Sequence, residues 1–233
     1  MRLAVIPARG GSKRIHKKNI KEFCGKPIIA WSIEAAIKSR CFDRIIVSTD
    51  DEEIAEVAKK YGAEVPFIRP AEFSDDYTGT SSVVRHAIKW FASKNLFFEH
   101  VCCIYATAPF VTADDIKIGL EKLISSNCEL TISVTSYSFP IQRAVRIQQD
   151  GFLEMFQPEQ YNSRSQDLEE AYHDAGQFYW RLSTTWCKGS NTFPKKVMPI
   201  FIPRYRVQDI DTPEDWVNAE LMFTLLQKKG KLL

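Results

Sequence analysis

Short apolar strands alternate with helical segments through the first 135 residues, and this alternation restricts the fold more than any other feature of the chain. Leu3-Ala4-Val5-Ile6 and the Ile45-Ile46-Val47 run within Arg44–Ser48 have the compact apolar character of strands buried on both faces. Val65–Ile68, Val101–Tyr105 and Leu130–Val134 read as further strands. Between them, Pro27 opens a helix that carries Ile28, Ile29, Trp31, Ile33 and Ile37 at helical spacing. Thr49 or Asp50 is placed to cap an acidic helix that ends near Tyr61, with Gly62 as its stop. Ser81–Lys94 reads as a third helix and Ala113–Ser125 as a fourth, with Thr112 and Asp115 spaced nearly as a capping box. The expected fold class is α/β, a mostly parallel sheet covered on both faces. Ligands of such sheets bind beyond the carboxyl ends of the strands, an edge that would hold both Arg9–Arg14 and Thr107–Pro109.

The alternation stops from about Tyr137 to Asp174, where Phe139, Pro140, Phe152, Met155, Phe156 and Tyr161 stand among polar residues. Apolar side chains without a local core must pack elsewhere, on a second subunit or back on their own domain. Strands resume at Gln177–Leu182, Val197–Ile202 and Arg206–Ile210, and a last helix follows Thr212 with Pro213 in its first turn. A length of 233 residues suits one domain spanning 1–233, with 137–174 an excursion within it.

A net charge of +2 gives no overall electrostatic case for nucleic acid or a membrane surface as partner. No apolar run approaches the ~18 residues that span a bilayer, and the amino terminus reads as a buried strand rather than a secretion signal. Six cysteines, at 24, 41, 102, 103, 128 and 187, lack CxxC spacing, so they are expected to be reduced packing residues of a cytoplasmic protein.

Two local patterns carry the chemistry. The first strand runs into Pro7-Ala8-Arg9-Gly10-Gly11-Ser12-Lys13-Arg14, followed by Lys17-Lys18-Asn19. Adjacent glycines let the backbone bend tightly and approach a ligand, free amides in such a bend form an anion site, and the surrounding cations add full charge. A triphosphate is the ligand this suggests. No Gly-Lys-Ser/Thr closes a Walker A loop and no Gly-x-Gly-x-x-Gly is present, which removes local support for ATPase and dehydrogenase readings. The second pattern is Asp209-Ile210-Asp211. On a strand both carboxylates would share one face, where a divalent cation relieves their repulsion; the plainer reading is that Asp211 or Thr212 only caps the last helix. Together the halves describe phosphate chemistry in which protein and metal neutralise developing charge.

Ile6-Pro7-Ala8-Arg9-Gly10-Gly11-Ser12-Lys13, Lys18-Asn19, Gly25-Lys26-Pro27, Ile46-Val47-Ser48-Thr49-Asp50, Arg69-Pro70-Ala71-Glu72 and Asp209-Ile210-Asp211-Thr212 together resemble the bacterial CMP-sialic acid synthetases, the acylneuraminate cytidylyltransferases. Tyr105-Ala106-Thr107-Ala108-Pro109-Phe110, Arg164-Ser165-Gln166-Asp167-Leu168 and the run Tyr172–Trp180 look like the branch that acts on pseudaminic acid. The resemblance implies a Rossmann-like, three-layer nucleotide-diphospho-sugar transferase fold, and a protruding segment at about 137–174 through which two subunits form a homodimer. It implies CTP and a nine-carbon 2-keto sugar acid as substrates, and Mg²⁺ as cofactor.

In that reading Ala8, Arg9, Gly10, Gly11, Ser12, Lys13 and Lys18 surround the triphosphate, with Lys18 at the α-phosphate. Asn19 and Ser82 are candidates for ribose or base contacts, and Arg69 either joins them or supports the loop. Lys18, Arg9, Asp209 and Asp211 carry the catalytic expectation, the two acids as metal ligands. Arg164 is the candidate for the sugar carboxylate, while Tyr105, Gln166, His173, Asp174 and Gln177 are expected to read other substituents. Legionaminate, neuraminate and an eight-carbon sugar acid stay open as alternative substrates. A metal-dependent glycosyltransferase, or a CTP-binding protein without catalysis, stays open as a different class.

Overall fold

Leu3, Ala4, Val5 and Ile6 are completely buried, so the strand they form can lie only inside a sheet with both faces covered. The computed structural model describes residues 1–75, 77–189, 193–230 and 232. In chain order they form β1 (Arg2–Pro7), β2 (Glu22–Phe23), β3 (Lys26–Pro27), α1 (Ile28–Ser39), β4 (Arg44–Ser48), α2 (Glu52–Lys60), α3 (Thr80–Ala92) and β5 (His100–Ile104). There follow α4 (Ala113–Ser125), β6 (Leu130–Ser136), β7 (Val145–Ile147), β8 (Leu153–Met155), β9 (Tyr172–Leu182), α5 (Ser183–Lys188), β10 (Val197–Phe201) and α6 (Pro213–Lys228).

Six strands make the central sheet in the order β10-β6-β9-β5-β1-β4. Pairing is parallel except around β9, which runs antiparallel to both β5 and β6. The period of two along β1 divides the core. Ala4 and Ile6 face α1, α2 and α4, whereas Leu3 and Val5 face α3 and Trp186 of α5. The architecture is therefore α/β in three layers, as expected. Trp180 of β9 fixes one face: it is fully buried, stacks on Phe42 at 4.9 Å, and donates its indole N–H to the Ile116 carbonyl at 3.0 Å. Truncating such a ring to alanine costs about 3–5 kcal/mol.

Local signals set several boundaries. Asp51, one residue beyond the expected pair, caps α2 by accepting from the Ile54 amide at 3.0 Å. Thr112 and Asp115 form a complete capping box at α4, and Thr212 and Asp215 form another at α6. Two expected strands do not form. Glu64 and Ile68 make only isolated bridges to Ile46 and Thr49, because Pro66 between them has no N–H to continue a ladder. Arg206–Ile210 is not a strand either. Pro203 ends the edge strand β10 and a 3-10 turn at Arg204–Arg206 carries the chain off the sheet. Ile210 is still buried, against Phe110, Trp216 and Phe223 below the sheet.

The 137–171 excursion holds the β7–β8 hairpin and three 3-10 turns, and its apolar side chains stay in solvent, with Phe139 82%, Ile147 76% and Phe152 72% exposed. All six cysteines are free thiols. Among the described residues no helix is long and apolar enough to cross a membrane.

His86 on α3 lies between the rings of Phe67 and Phe73, and burial followed by the nearby Arg69 charge holds its pKa below the ordinary 6.5. The unfolded chain therefore takes up this proton first as pH falls, and His86 contributes stability above about pH 6.5 that is lost below it. Melting temperature is expected to fall between pH 7.5 and pH 5.5, and His86→Leu is expected to flatten that slope; an equally steep slope in the variant would assign the acid sensitivity elsewhere.

Candidate active site

The order of the strands determines where a ligand can enter. From β1 the chain goes first to β4 on one side and then to β5 on the other, so β1 and β5 flank the point where winding reverses. A crevice opens there, beyond the carboxyl ends of the strands. It is a cavity of about 510 Å³ lined by Pro7 at the end of β1, by Tyr105, Ala106 and Thr107 after β5, and by Arg9, Ser12, Lys13, Arg14, Lys18, Asn19, Arg69 and Asp211. Phe73, Asp75, Thr78, Thr80 and Val83 complete the wall. The amino-terminal basic bend and Asp211 of the late acidic pair thus meet in one place, while Asp209 does not line the cavity.

Direct contacts join the two. The Lys18 ammonium donates to Asp211 Oδ1 at 3.2 Å, and the Arg14 guanidinium pairs with Asp211 Oδ2 at 2.9 Å. Asp209, two residues earlier, has its pKa raised, first by partial desolvation and then by the charge of Asp211, with Lys18 pulling the other way. The carboxylates are therefore close enough to repel, although a loop and not a strand presents them. Asp211 is also held through its backbone N–H, which donates to Asp215 Oδ2 at 3.1 Å.

The bend itself is held more tightly than free amides imply. Gly10 N–H donates to Asp50 Oδ1 at 3.0 Å, Ser12 N–H to the Gly10 carbonyl at 2.9 Å, and Ala8 N–H to Ser48 at the end of β4 at 3.0 Å. At Gly11 the bend faces open space, with nothing within 4 Å of where a Cβ would stand. Arg69 supports the same corner: only 4% exposed, it donates to the Ser48 carbonyl and Ser74 Oγ, each at 3.1 Å, and pairs with Asp50 at 3.5 Å. Burial lowers its pKa, and Asp50 opposes that shift. Asn19 Nδ2 donates to the Arg9 carbonyl at 2.9 Å, tying the basic run back onto the bend. Ser82 lies on the first turn of α3 and accepts from Arg85 at 3.1 Å, away from the cavity wall.

Of the residues expected to read the sugar, only Tyr105 lines the cavity. Its hydroxyl bonds to Tyr179 and Thr80, and burial raises its pKa. Tyr179 in turn donates to Asp174 Oδ2 at 2.6 Å, linking Asp174 to the cavity through two phenols. His173 packs edge-on against Tyr137, with ring centroids 4.8 Å apart, and its Nδ1 meets the Asp174 carbonyl at 2.9 Å. Gln177 is buried and donates to the Arg206 carbonyl at 2.6 Å, because its position on β9 turns it into the protein. Arg164 and Gln166 sit in the exposed excursion, where Arg164 grips Asp167 through two bonds of 2.7 and 3.1 Å. Neither reaches the cavity of its own chain.

The sequence assigned no individual site role to Arg14, Asp50, Thr78, Thr80 or Tyr179. Arg14 stood within the basic run, and the polar start of α3 was visible as Thr78-Gly79-Thr80. Asp50 and Tyr179 stood within motifs noted for the resemblance, without a site role of their own. The arrangement can hold a polyanion: several cations surround a cavity of nucleotide size, and Asp211, with Asp209 near it, stands among them.

Gly10 is required for this packing, since a Cβ there would lie 2.6 Å from Asp51 Oδ2 and 2.9 Å from its Cβ, at the cap of α2. Gly10→Ala is expected to raise the half-saturating concentration of a nucleoside triphosphate about tenfold, ~1.4 kcal/mol of binding. A titration indistinguishable from wild type would mean that the bend can shift without consequence.

The cytidylyltransferase family profile matches residues 3–185. The chain is 46% identical over 221 residues to a pseudaminic acid cytidylyltransferase of Campylobacter jejuni subsp. jejuni, covering 95% of each chain. It is 32% identical over 233 residues to a CMP-N,N'-diacetyllegionaminic acid synthase of Legionella pneumophila subsp. pneumophila, covering 97% of each. Among solved structures it resembles a CMP:2-keto-3-deoxy-manno-octonic acid synthetase complexed with CTP, with a TM-score of 0.69, 14% identity, and coverage of 97% of this chain and 99% of that one. The shared sequence, the shared fold and the cavity at the strand ends agree: this chain belongs to the cytidylyltransferase family.

Proposed function

We propose that the protein transfers CMP from CTP to the anomeric hydroxyl of a nine-carbon 2-keto sugar acid, pseudaminic acid foremost, and releases pyrophosphate. The observation that carries this reading is the meeting of the glycine bend, its cations and Asp211 in one cavity at the strand ends. The 46% identity to a pseudaminic acid cytidylyltransferase supports the choice of sugar, and the 32% relative makes legionaminate the second substrate to test.

In this reading the triphosphate lies against the Gly10–Ser12 bend, where Gly11 leaves open space, with Arg9, Lys13 and Lys18 around it. Lys18 exchanges Asp211 for the α-phosphate and offsets the charge that builds there. The sugar oxygen forms its bond to the α-phosphorus as the bond to the bridging oxygen of pyrophosphate breaks, and the anomeric proton leaves to solvent. Thr80, Tyr105 and, through Tyr179, Asp174 are placed to orient the sugar.

Asp209 and Asp211 would hold magnesium. Their mutual repulsion fits a divalent cation, and two carboxylates suffice for an ion that takes its remaining ligands from water and phosphate. Among the described residues no group of three or more carboxylate, histidine or cysteine side chains could hold a metal ion, so the substrate phosphates would have to complete its ligand set. When bound, magnesium supplies positive charge to the phosphate oxygens.

The exposed Phe139, Ile147 and Phe152 support pairing of two copies through the excursion at about 137–174, with residues 1–233 as one transferase unit. Such pairing is also the route by which Arg164 would meet a sugar carboxylate, across the subunit boundary. Free thiols throughout fit a cytoplasmic enzyme.

A CTP-dependent pyrophosphate assay over a panel of sugar acids tests the reaction. Release is expected with pseudaminic acid, and turnover of neuraminate without pseudaminate would overturn the substrate. Lys18→Ala is expected to lower kcat about 10²–10³-fold, and the double change Asp209→Asn with Asp211→Asn should abolish release at every magnesium concentration. Near-normal rates in either variant would contradict the roles given.

A further inference from the structure

The segment that presents Asp209 and Asp211 belongs to no sheet, so something other than ladder hydrogen bonds must hold it in register with the basic bend. Its ends are secured: Ile202 N–H donates to Val134 at 2.8 Å, and Thr212 and Asp215 close the capping box of α6. Between those ends, Ile210 is buried and Asp211 pairs with Arg14 and Lys18, and Arg206 adds a tie of a different kind. The Arg206 guanidinium meets Asp115 through two parallel bonds, NH1 to Oδ2 at 2.5 Å and NH2 to Oδ1 at 3.1 Å. Both side chains are nearly buried, 12% and 9% exposed. The carbonyl of the same Arg206 accepts from Gln177 Nε2 at 2.6 Å, so both its side chain and its main chain are fixed. Asp115 is itself held on its other side, with Oδ2 accepting from Thr112 Oγ1 at 2.6 Å inside the cap of α4. Arg206 thus joins the acid-bearing loop to α4 and to β9, the two elements packed beside it.

A buried ion pair adds little net stability over an apolar pair of the same volume, so stability alone is a weak reason for this one. Its geometry suggests another. Two residues lie between Arg206 and Asp209, a span of at most ~11 Å, so a shift of Arg206 is passed along a short tether to the carboxylates. We propose that Arg206 and Asp115 are positioning residues that set where Asp209 and Asp211 stand, and so control the metal affinity of the nucleotide-loaded site. This rests on the reading of Asp209 and Asp211 as metal ligands. It also gives Gln177 a place in the clamp, as the donor to the Arg206 carbonyl.

The test is the double variant Asp115→Asn with Arg206→Met, which keeps an acceptor for the cap and leaves no buried charge. It is expected to melt close to wild type. Amides of residues 207–211 should exchange with deuterium about tenfold faster than in wild type. In the presence of CTP, Mn²⁺ binding read by electron paramagnetic resonance should weaken about tenfold or more. Wild-type exchange and wild-type Mn²⁺ affinity in this variant would overturn the proposal. Should it fail to fold, Arg206→Lys, which keeps the charge without the planar fork, gives the same two readouts, and wild-type values there overturn it equally. Wild-type protein that binds Mn²⁺ with CTP yet releases no pyrophosphate with any sugar acid would sink the functional reading alone, while the exchange and binding comparison still decides the positioning role.

Discussion

Arg9, Lys13, Arg14, Lys18 and Arg69 crowd one cavity, and so much like charge can be gathered only where carboxylates from elsewhere in the chain stand among it. Asp50, at the end of β4, faces Arg69 and the Gly10 amide. Asp211, 193 residues from Lys18, faces Lys18 and Arg14. These contacts fix the amino-terminal bend from two sides, one anchored in the sheet and the other in the loop before α6. The rest of the site follows from that arrangement. The bend stays open at Gly11, and Asp211 stands beside the cations it partners.

The strand ends make the arrangement possible. Because β1 lies between β4 and β5, the residues after all three strands come out on one edge: those after β1 and β5 line the crevice, and Asp50 after β4 holds the bend by the Gly10 amide. Opposite faces of β1 are sealed by separate clusters of apolar side chains, which leaves the polar turns at its end free to serve a ligand. The charge balance and the sheet are thus two levels of one design. Packing determines the edge, and the edge determines which charges meet.

Where structure depended on neighbours in sequence, it was legible. Thr112 and Asp115 announce the start of α4, and the helix spans Ala113–Ser125 as its spacing predicts. The meeting of Arg9–Lys18 with Asp211 could be expected from strand-end logic alone. Where the outcome depended on one proline, it was misread: Pro66 and Pro203 each end a pairing that an apolar run had suggested. The sugar side was least legible. Arg164 and Gln166 travel with an excursion whose destination no local pattern encodes, and Gln177 faces inward because of its register on β9. Tyr179 joins the site only through Tyr105, a contact between residues 74 apart in the chain.

The reversed strand β9 has a consequence of its own. Since it alone runs against its neighbours, its beginning rather than its end arrives at the ligand edge, with Tyr172 paired to Ser136 at the finish of β6. The hairpin excursion feeds straight into that beginning. A change of length or sequence in this one insert would reshape the mouth of the crevice while the basic bend, built on β1 and β4, kept its form. New acceptor preferences could then arise by remodelling a single detour, without reopening the core.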